Sequence, residues 1–183
     1  MALELGMKEI EKKLMDKENQ MDEVLAKSRT IVRACANSIK AIHAKDVKEA
    51  KKQIAEAEEG IAGIAKYSDE FPSQLNHILQ EYAEARIVFS AVEGGRIPSF
   101  REMKIGEIPY LNGLLDATGE LKREMYESLR HGKKKDAEKY FAMMEGIYDA
   151  LLPLRFSNAV LPEFRRKQDV ARMQIEQARG ELL

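Results

Sequence analysis

The stretch MKEIEKKLMDKENQMDEVLAKSRTIVRACANSIKAIH, residues 7–43, decides the fold class. Apolar residues recur in it at Ile10, Leu14, Met21, Val24, Leu25, Ile31, Val32, Cys35, Ile39 and Ile42, mostly three, four and seven positions apart. That is the period of one face of a helix, not the alternation of a strand. The segment is therefore predicted to be one unusually long helix, with the stripe as its packing face.

Working outward, the same period covers most of the chain. Asp46 stands as N-cap of a second helix reaching about Tyr67, with Glu49 at capping-box spacing. Pro72 lies in the break that follows, and a third helix runs from about Ser73 to Val92, stopped by Gly94-Gly95. Residues 96–106, with Pro98, read as a connection. A fourth helix begins near Pro109 and ends at His131-Gly132, a fifth covers about Lys134 to Leu152, and a sixth about Pro162 to Leu182. The economical architecture is an all-α bundle of six helices forming one domain over residues 1–183.

Composition narrows the class. The net charge of −1 with 33% charged residues gives nucleic acid no whole-molecule attraction, so any basic surface has to be local. Cys35 is the only cysteine, which excludes a disulfide framework and a thiolate metal site and reads as a small buried thiol. Met1 to Lys12 lacks a signal-peptide core, and no run approaches the roughly 18 apolar residues of a membrane span. A reducing cytoplasm is the expected compartment.

Helices three and four carry the chemistry. On helix four, Leu111, Leu114, Thr118, Leu121, Met125 and Leu129 share one side, while Asp116, Glu120, Arg123 and Glu127 line the other. A solvated face is the simplest reading of that polar stripe. Helix three is apolar around most of its circumference and should be buried, yet Glu81 and Glu84 interrupt it on a stripe with His77. Carboxylates among apolar neighbours need a cation, a hydrogen-bond network or a water-filled cavity. An ion pair with Arg86 or a neighbouring helix is one solution. Convergence of the acids of both helices on magnesium or manganese is another, since hard oxygen ligands suit those ions and a metal so held can activate water against a phosphodiester. A ferritin-like di-iron site does not fit, because Glu-x-x-His pairs are missing.

The segment from Tyr110 to Arg123, with Asp116-Ala-Thr-Gly-Glu-Leu-Lys-Arg123 inside it, resembles the signature of the translin family in its translin-associated factor X form. Leu79-Gln-Glu-Tyr-Ala-Glu-Ala85 resembles the helix of that branch that carries two active-site acids. Ile39-Lys-Ala-Ile-His43, the run from Phe141 to Ile147-Tyr148-Asp149, and Arg165-Arg-Lys-Gln-Asp169 are similar to further parts of the family pattern. The resemblance implies a helical bundle that cleaves single-stranded RNA inside a hollow homo-oligomer, commonly an octamer. It places Glu81, Glu84, Asp116 and Glu120 as catalytic metal ligands for Mg²⁺ or Mn²⁺. The short 94–106 loop and the end close after the last helix resemble a compact archaeal homologue, and the Lys and Glu content suits a hot host.

RNA needs positive charge near those acids. Arg29, Arg33 and Lys40 fall on a similar side of helix one and Arg123 shares the acidic stripe, so these four are the expected nucleic-acid contacts, against ordinary solvated residues as the alternative. Twelve aromatic residues and no tryptophan argue against dense base stacking. Three other readings stand beside the nuclease: a binding-only module for single-stranded RNA or DNA, an all-α nucleotide pyrophosphohydrolase whose Glu-x-x-Glu pattern is half present, and a purely structural oligomer.

Overall fold

The computed structural model describes residues 5–182, and helices account for most of them, with no strand among the described residues. In chain order these are α1 (Met7–His43), α2 (Val47–Ile64), α3 (Pro72–Val92), α4 (Phe100–Met103), α5 (Glu107–Arg130), α6 (Lys134–Leu151) and α7 (Phe164–Leu182), with a 3-10 turn at Ala65–Tyr67 prolonging α2. The all-α architecture is as expected, but six helices become seven. The extra one, α4, sits in the segment read as a connection. It is held by a reciprocal cap: Ser99 Oγ accepts from the Glu102 backbone N–H, and the Glu102 carboxylate accepts from the Ser99 N–H. One turn of helix leaves no periodicity in a sequence, so only the Ser-x-x-Glu spacing marks it.

At α2 the cap is half of what the spacing predicts. Asp46 accepts from the Glu49 N–H at 2.9 Å, while the Glu49 side chain accepts from Gln53 Nε2 instead of reaching back. The Asp46 N–H donates to the Ala41 carbonyl of the α1–α2 turn and has no need of a second acceptor. Lys45 takes the left-handed conformation that reverses the chain there.

α1 is one continuous helix, but its stripe does not pack along its whole length. At about 1.5 Å per residue its 37 residues span roughly 55 Å, twice the roughly 27 Å of the 18-residue α2 that covers it. Val24, Ile31, Cys35 and Ile42 are buried, whereas Ile10 and Leu14 are 46% and 62% exposed beyond the cover of α2.

α1 packs on α2 and α3, α3 on α5, and α5 on α6 and α7. The central α3 buries Ile78, Tyr82, Ala85, Ile87, Val88 and Phe89, as its apolar circumference requires. On α5, Leu114, Thr118, Leu121 and Met125 are buried, the side expected to pack. α3 and α5 meet at very short range. A Cβ added to Gly113 would lie 2.5 Å from the Ala83 Cβ and 3.0 Å from the Gln80 carbonyl oxygen, so glycine is what permits the approach. Among the described residues no helix is long and apolar enough to cross a membrane.

Candidate functional site

The Gly113 crossing fixes where the acids go. Ala83 sits in the contact, flanked on α3 by Glu81 and Glu84, and Asp116 and Glu120 follow Gly113 by three and seven positions on α5. Successive turns of two closely apposed helices therefore present their carboxylates to a common space. Glu81, Glu84, Asp116 and Glu120 all line one cavity of about 610 Å³, closed on its third side by Glu163, Arg166, Lys167, Val170 and Gln174 from α7 and its approach. Each of the four acids is half-buried. Arg86 is not their partner: it donates to Ser90 Oγ at 2.7 Å and lies 4.0 Å from Glu58.

The four carboxylates are held differently. Asp116 accepts from Lys167 Nζ at 2.5 Å on one oxygen and from Gln80 Nε2 at 2.8 Å on the other. Glu120 accepts from His43 Nε2 at 2.6 Å. Glu81 and Glu84 have no ion pair among the described residues. Burial first, and then the charges of Asp116, Glu81 and Glu120, push the Glu84 carboxyl up to about 8, with Lys167 opposing. This is the electrostatic signature of acids crowded into one partly desolvated space. Among the described residues no three His, Cys, Asp or Glu side chains are gathered tightly enough to hold a metal ion. Like charges repel, and Asp116 and Glu120 are each drawn to a protein cation instead.

Behind Glu120 lies an inner network that sequence reading did not find. The Glu124 side chain is 0% exposed and accepts from His43 Nδ1 at 2.7 Å and from Lys45 Nζ at 2.5 Å. Burial raises the Glu124 carboxyl, but those two hydrogen bonds outweigh it and hold the group below the usual carboxylate range. His43 is pushed up to about 9, chiefly by its hydrogen bond to Glu120 and then by that to Glu124, against burial and the charge of Arg123. At neutral pH it is an imidazolium donating at both nitrogens, one to each glutamate. The signal was present, since Glu124 follows the buried Leu121 by three on the packing side of α5. Cys35 behaves as expected of a buried thiol, pushed up to about 12 by burial and by Glu81 and Glu84.

The expected basic residues are distributed around the cavity, not in it. Arg29 and Arg33 line an adjoining groove of about 490 Å³ floored by Val24, Val32 and Ile78. His77 lines both groove and cavity and so joins them. Lys40 is exposed and lines neither. Arg123 is exposed and makes itself felt at His43 instead of in the acidic cavity. The cations that do reach the cavity, Lys167 and Arg166, come from the start of α7. Lys167, Val170 and Gln174 fall at helical spacing beside the buried Gln168, Ala171 and Ile175.

Comparison with known proteins bears on this arrangement. The family model described as the Translin family matches residues 7–178. Uncharacterized protein MJ0175 of Methanocaldococcus jannaschii is 34% identical over 175 residues, covering 93% of this chain and 78% of that protein. Among solved structures, AfC3PO superposes with a TM-score of 0.89 in a complex with duplex RNA and 0.88 in a second crystal structure, at 30% identity, over 97% of this chain and 95% of that one. Apo-NeC3PO, at 24% identity and a TM-score of 0.89, covers 100% of this chain and 98% of its own and shares the fold. With the family pattern running from the first helix into the last, and the same bundle in AfC3PO, the chain belongs to the translin family.

Proposed function

We propose that this protein is a divalent-metal-dependent endoribonuclease of the translin-associated factor X type, acting on single-stranded RNA within a hollow homo-oligomer. The observation that carries the reading is the meeting of Glu81 and Glu84 from α3 with Asp116 and Glu120 from α5 on one cavity, where the α3–α5 crossing is closest. The donor chemistry fits Mg²⁺ or Mn²⁺, because all four groups offer hard carboxylate oxygens and two of them, Glu81 and Glu84, have no ion pair among the described residues. Glu81, Glu84, Asp116 and Glu120 would hold the ion by closing on it, since without it no three of the described acids lie together tightly enough. Bound there, it would supply Lewis-acid activation of water and of a phosphoryl oxygen. An oxygen of these carboxylates not engaged by the ion would orient or deprotonate the attacking water. His43 fixes the rotamer of Glu120, and Gln80 that of Asp116.

Arg29 and Arg33 supply phosphate attraction along the groove that joins the cavity at His77, with Arg123 and Lys40 as outlying contacts. Self-assembly, into the octamer that the family resemblance implies, is supported by the exposed apolar residues Met7, Ile10, Leu14 and Met15 on the uncovered end of α1. A cytoplasmic location accords with the lone, inert thiol.

The test is Asp116→Asn. Cleavage of a single-stranded oligoribonucleotide in Mg²⁺ or Mn²⁺ is expected to vanish while filter retention of RNA and the assembly size stay unchanged. Wild-type cutting by this variant refutes the mechanism. A binding-only module is favoured by one observation, the hold of Lys167 and His43 on two of the four acids. Protein that retains RNA, single-stranded, duplex or DNA, yet leaves it uncut across both metal titrations would establish that reading instead.

A further inference from the structure

Lys167 is the one lysine whose ammonium enters the acidic cavity, and its side chain is 15% exposed where most lysines of this chain are open to solvent. A lysine is buried to this degree only with a specific partner. Its partner is a single oxygen of Asp116, whose other oxygen is held by Gln80. An ammonium carries three donors, and the described hydrogen bonds of Lys167 use one, leaving two for the space it lines. The residue is also the mobile kind of cation, a compact point charge on a four-carbon stem. It springs from α7, whereas the carboxylates spring from α3 and α5, so it can shift without disturbing the acids.

We infer that Lys167 is an exchangeable counter-charge of this site: it pairs with Asp116, yields that carboxylate to a divalent cation, and then pairs with a nonbridging phosphate oxygen of the RNA. The inference rests on the metal-dependent reading above. A divalent ion drawing on Asp116 competes with the ammonium for the same oxygen and repels it at close range. Of the other carboxylates lining the cavity, the ion would engage Glu81, Glu84 and Glu120 while Glu163 is paired with Arg166, which leaves the substrate backbone for Lys167. No bond is made or broken by the lysine; it moves one positive charge from the resting carboxylate to the phosphate. A permanent structural ion pair between α5 and α7 would do none of this, and the two cases predict opposite changes in metal affinity.

The experiment measures Mn²⁺ binding by electron paramagnetic resonance, without RNA, in the full-length wild type, in Lys167→Met and in Lys167→Arg, with folding checked by circular dichroism. Wild type is expected to bind Mn²⁺, and a Glu84→Gln control to bind it much more weakly. Lys167→Met should bind Mn²⁺ tighter, on the order of tenfold, because the competing charge is gone. Lys167→Arg, which keeps the charge, should fall back toward wild type. In single-turnover cleavage at saturating Mn²⁺, Lys167→Met should be slower by at least about tenfold despite its tighter metal, since a phosphate contact is lost. Unchanged or weaker Mn²⁺ binding by folded Lys167→Met overturns the exchange, and unchanged cleavage at saturation overturns the handover to phosphate. Should wild type and Glu84→Gln bind no Mn²⁺ alike, it is the metal reading itself that fails. If Lys167→Met does not fold, Lys167→Gln carries the same comparison.

Discussion

Replacing Gly113 by alanine perturbs the helix crossing on which the site depends, without touching any acid. The added Cβ would sit 2.5 Å from the Ala83 Cβ, whereas ordinary contact begins at 3.4 Å, a deficit of about 0.9 Å. It would also meet the Gln80 carbonyl oxygen at 3.0 Å and the Glu84 backbone nitrogen at 3.1 Å. All three obstacles are backbone or a methyl fixed to it, so no rotamer change relieves them and α3 and α5 have to part. Overpacking of this kind costs about 1–3 kcal/mol. Alanine returns about 1 kcal/mol of helix propensity over glycine, leaving a net loss of up to about 2 kcal/mol. For a chain of this size that lowers Tm by up to about 8 °C at fixed protein concentration. Because the acids ride on the two helices, the same shift misplaces them, and an error of about 1 Å in a catalytic constellation is worth up to about a hundredfold in rate. Gly146→Ala on α6 is the control, since its Cβ would meet nothing within 4 Å and it should gain up to about 1 kcal/mol. The assays are differential scanning fluorimetry, Mn²⁺ affinity and single-turnover cleavage. A Gly113→Ala protein with wild-type Tm and wild-type Mn²⁺ affinity would show that the crossing does not set the geometry.

Other outcomes follow from the same contacts. His43→Ala leaves the wholly buried Glu124 carboxylate with Lys45 alone, and loss of one partner in such a network costs on the order of 3 kcal/mol; a urea midpoint that implies less than about 1 kcal/mol would contradict it. Stability of the metal-free protein should fall as pH rises from about 5 to about 9. His43, raised from 6.5 to about 9, contributes fully below its unfolded value and loses that contribution through its folded one, while Glu84, raised from 4.5 to about 8, must ionise against burial over its own interval. Both slopes have the same sign, so a urea midpoint constant or rising across that range refutes the assignment, and added Mn²⁺ should restore stability most at the alkaline end. Leu14→Glu combined with Ile10→Glu should shrink the particle seen by light scattering while helicity by circular dichroism is kept; an unchanged mass places the assembly interface elsewhere.

Much of the molecule was legible in the one-dimensional pattern, because helix periodicity is a local property of side-chain burial. α1, α3, α5, α6 and α7 lie within a few residues of their sequence boundaries, and the buried side of α5 was read correctly from Leu114 to Met125. α4 escaped because four residues are too few for a period, and the capping box at Asp46 closed only halfway because Gln53 competes for Glu49. Glu81, Glu84, Asp116 and Glu120 were nameable in advance, two from their incongruity on an apolar helix and all four from resemblance. Their convergence was one of the readings that the sequence left open; that they share one cavity depends on a glycine whose missing side chain sets the distance between α3 and α5.

The amino-acid sequence alone determined where helices run and which sides of them face inward, since both follow from the free energy of moving apolar side chains out of water, residue by residue. Only the tertiary structure decided which charges meet: that Lys167 and not Arg123 reaches Asp116, that His43 bridges Glu120 to a buried Glu124, and that Arg86 turns away. Ion pairing between distant segments is fixed by helix crossing and side-chain reach, and neither has a period to read.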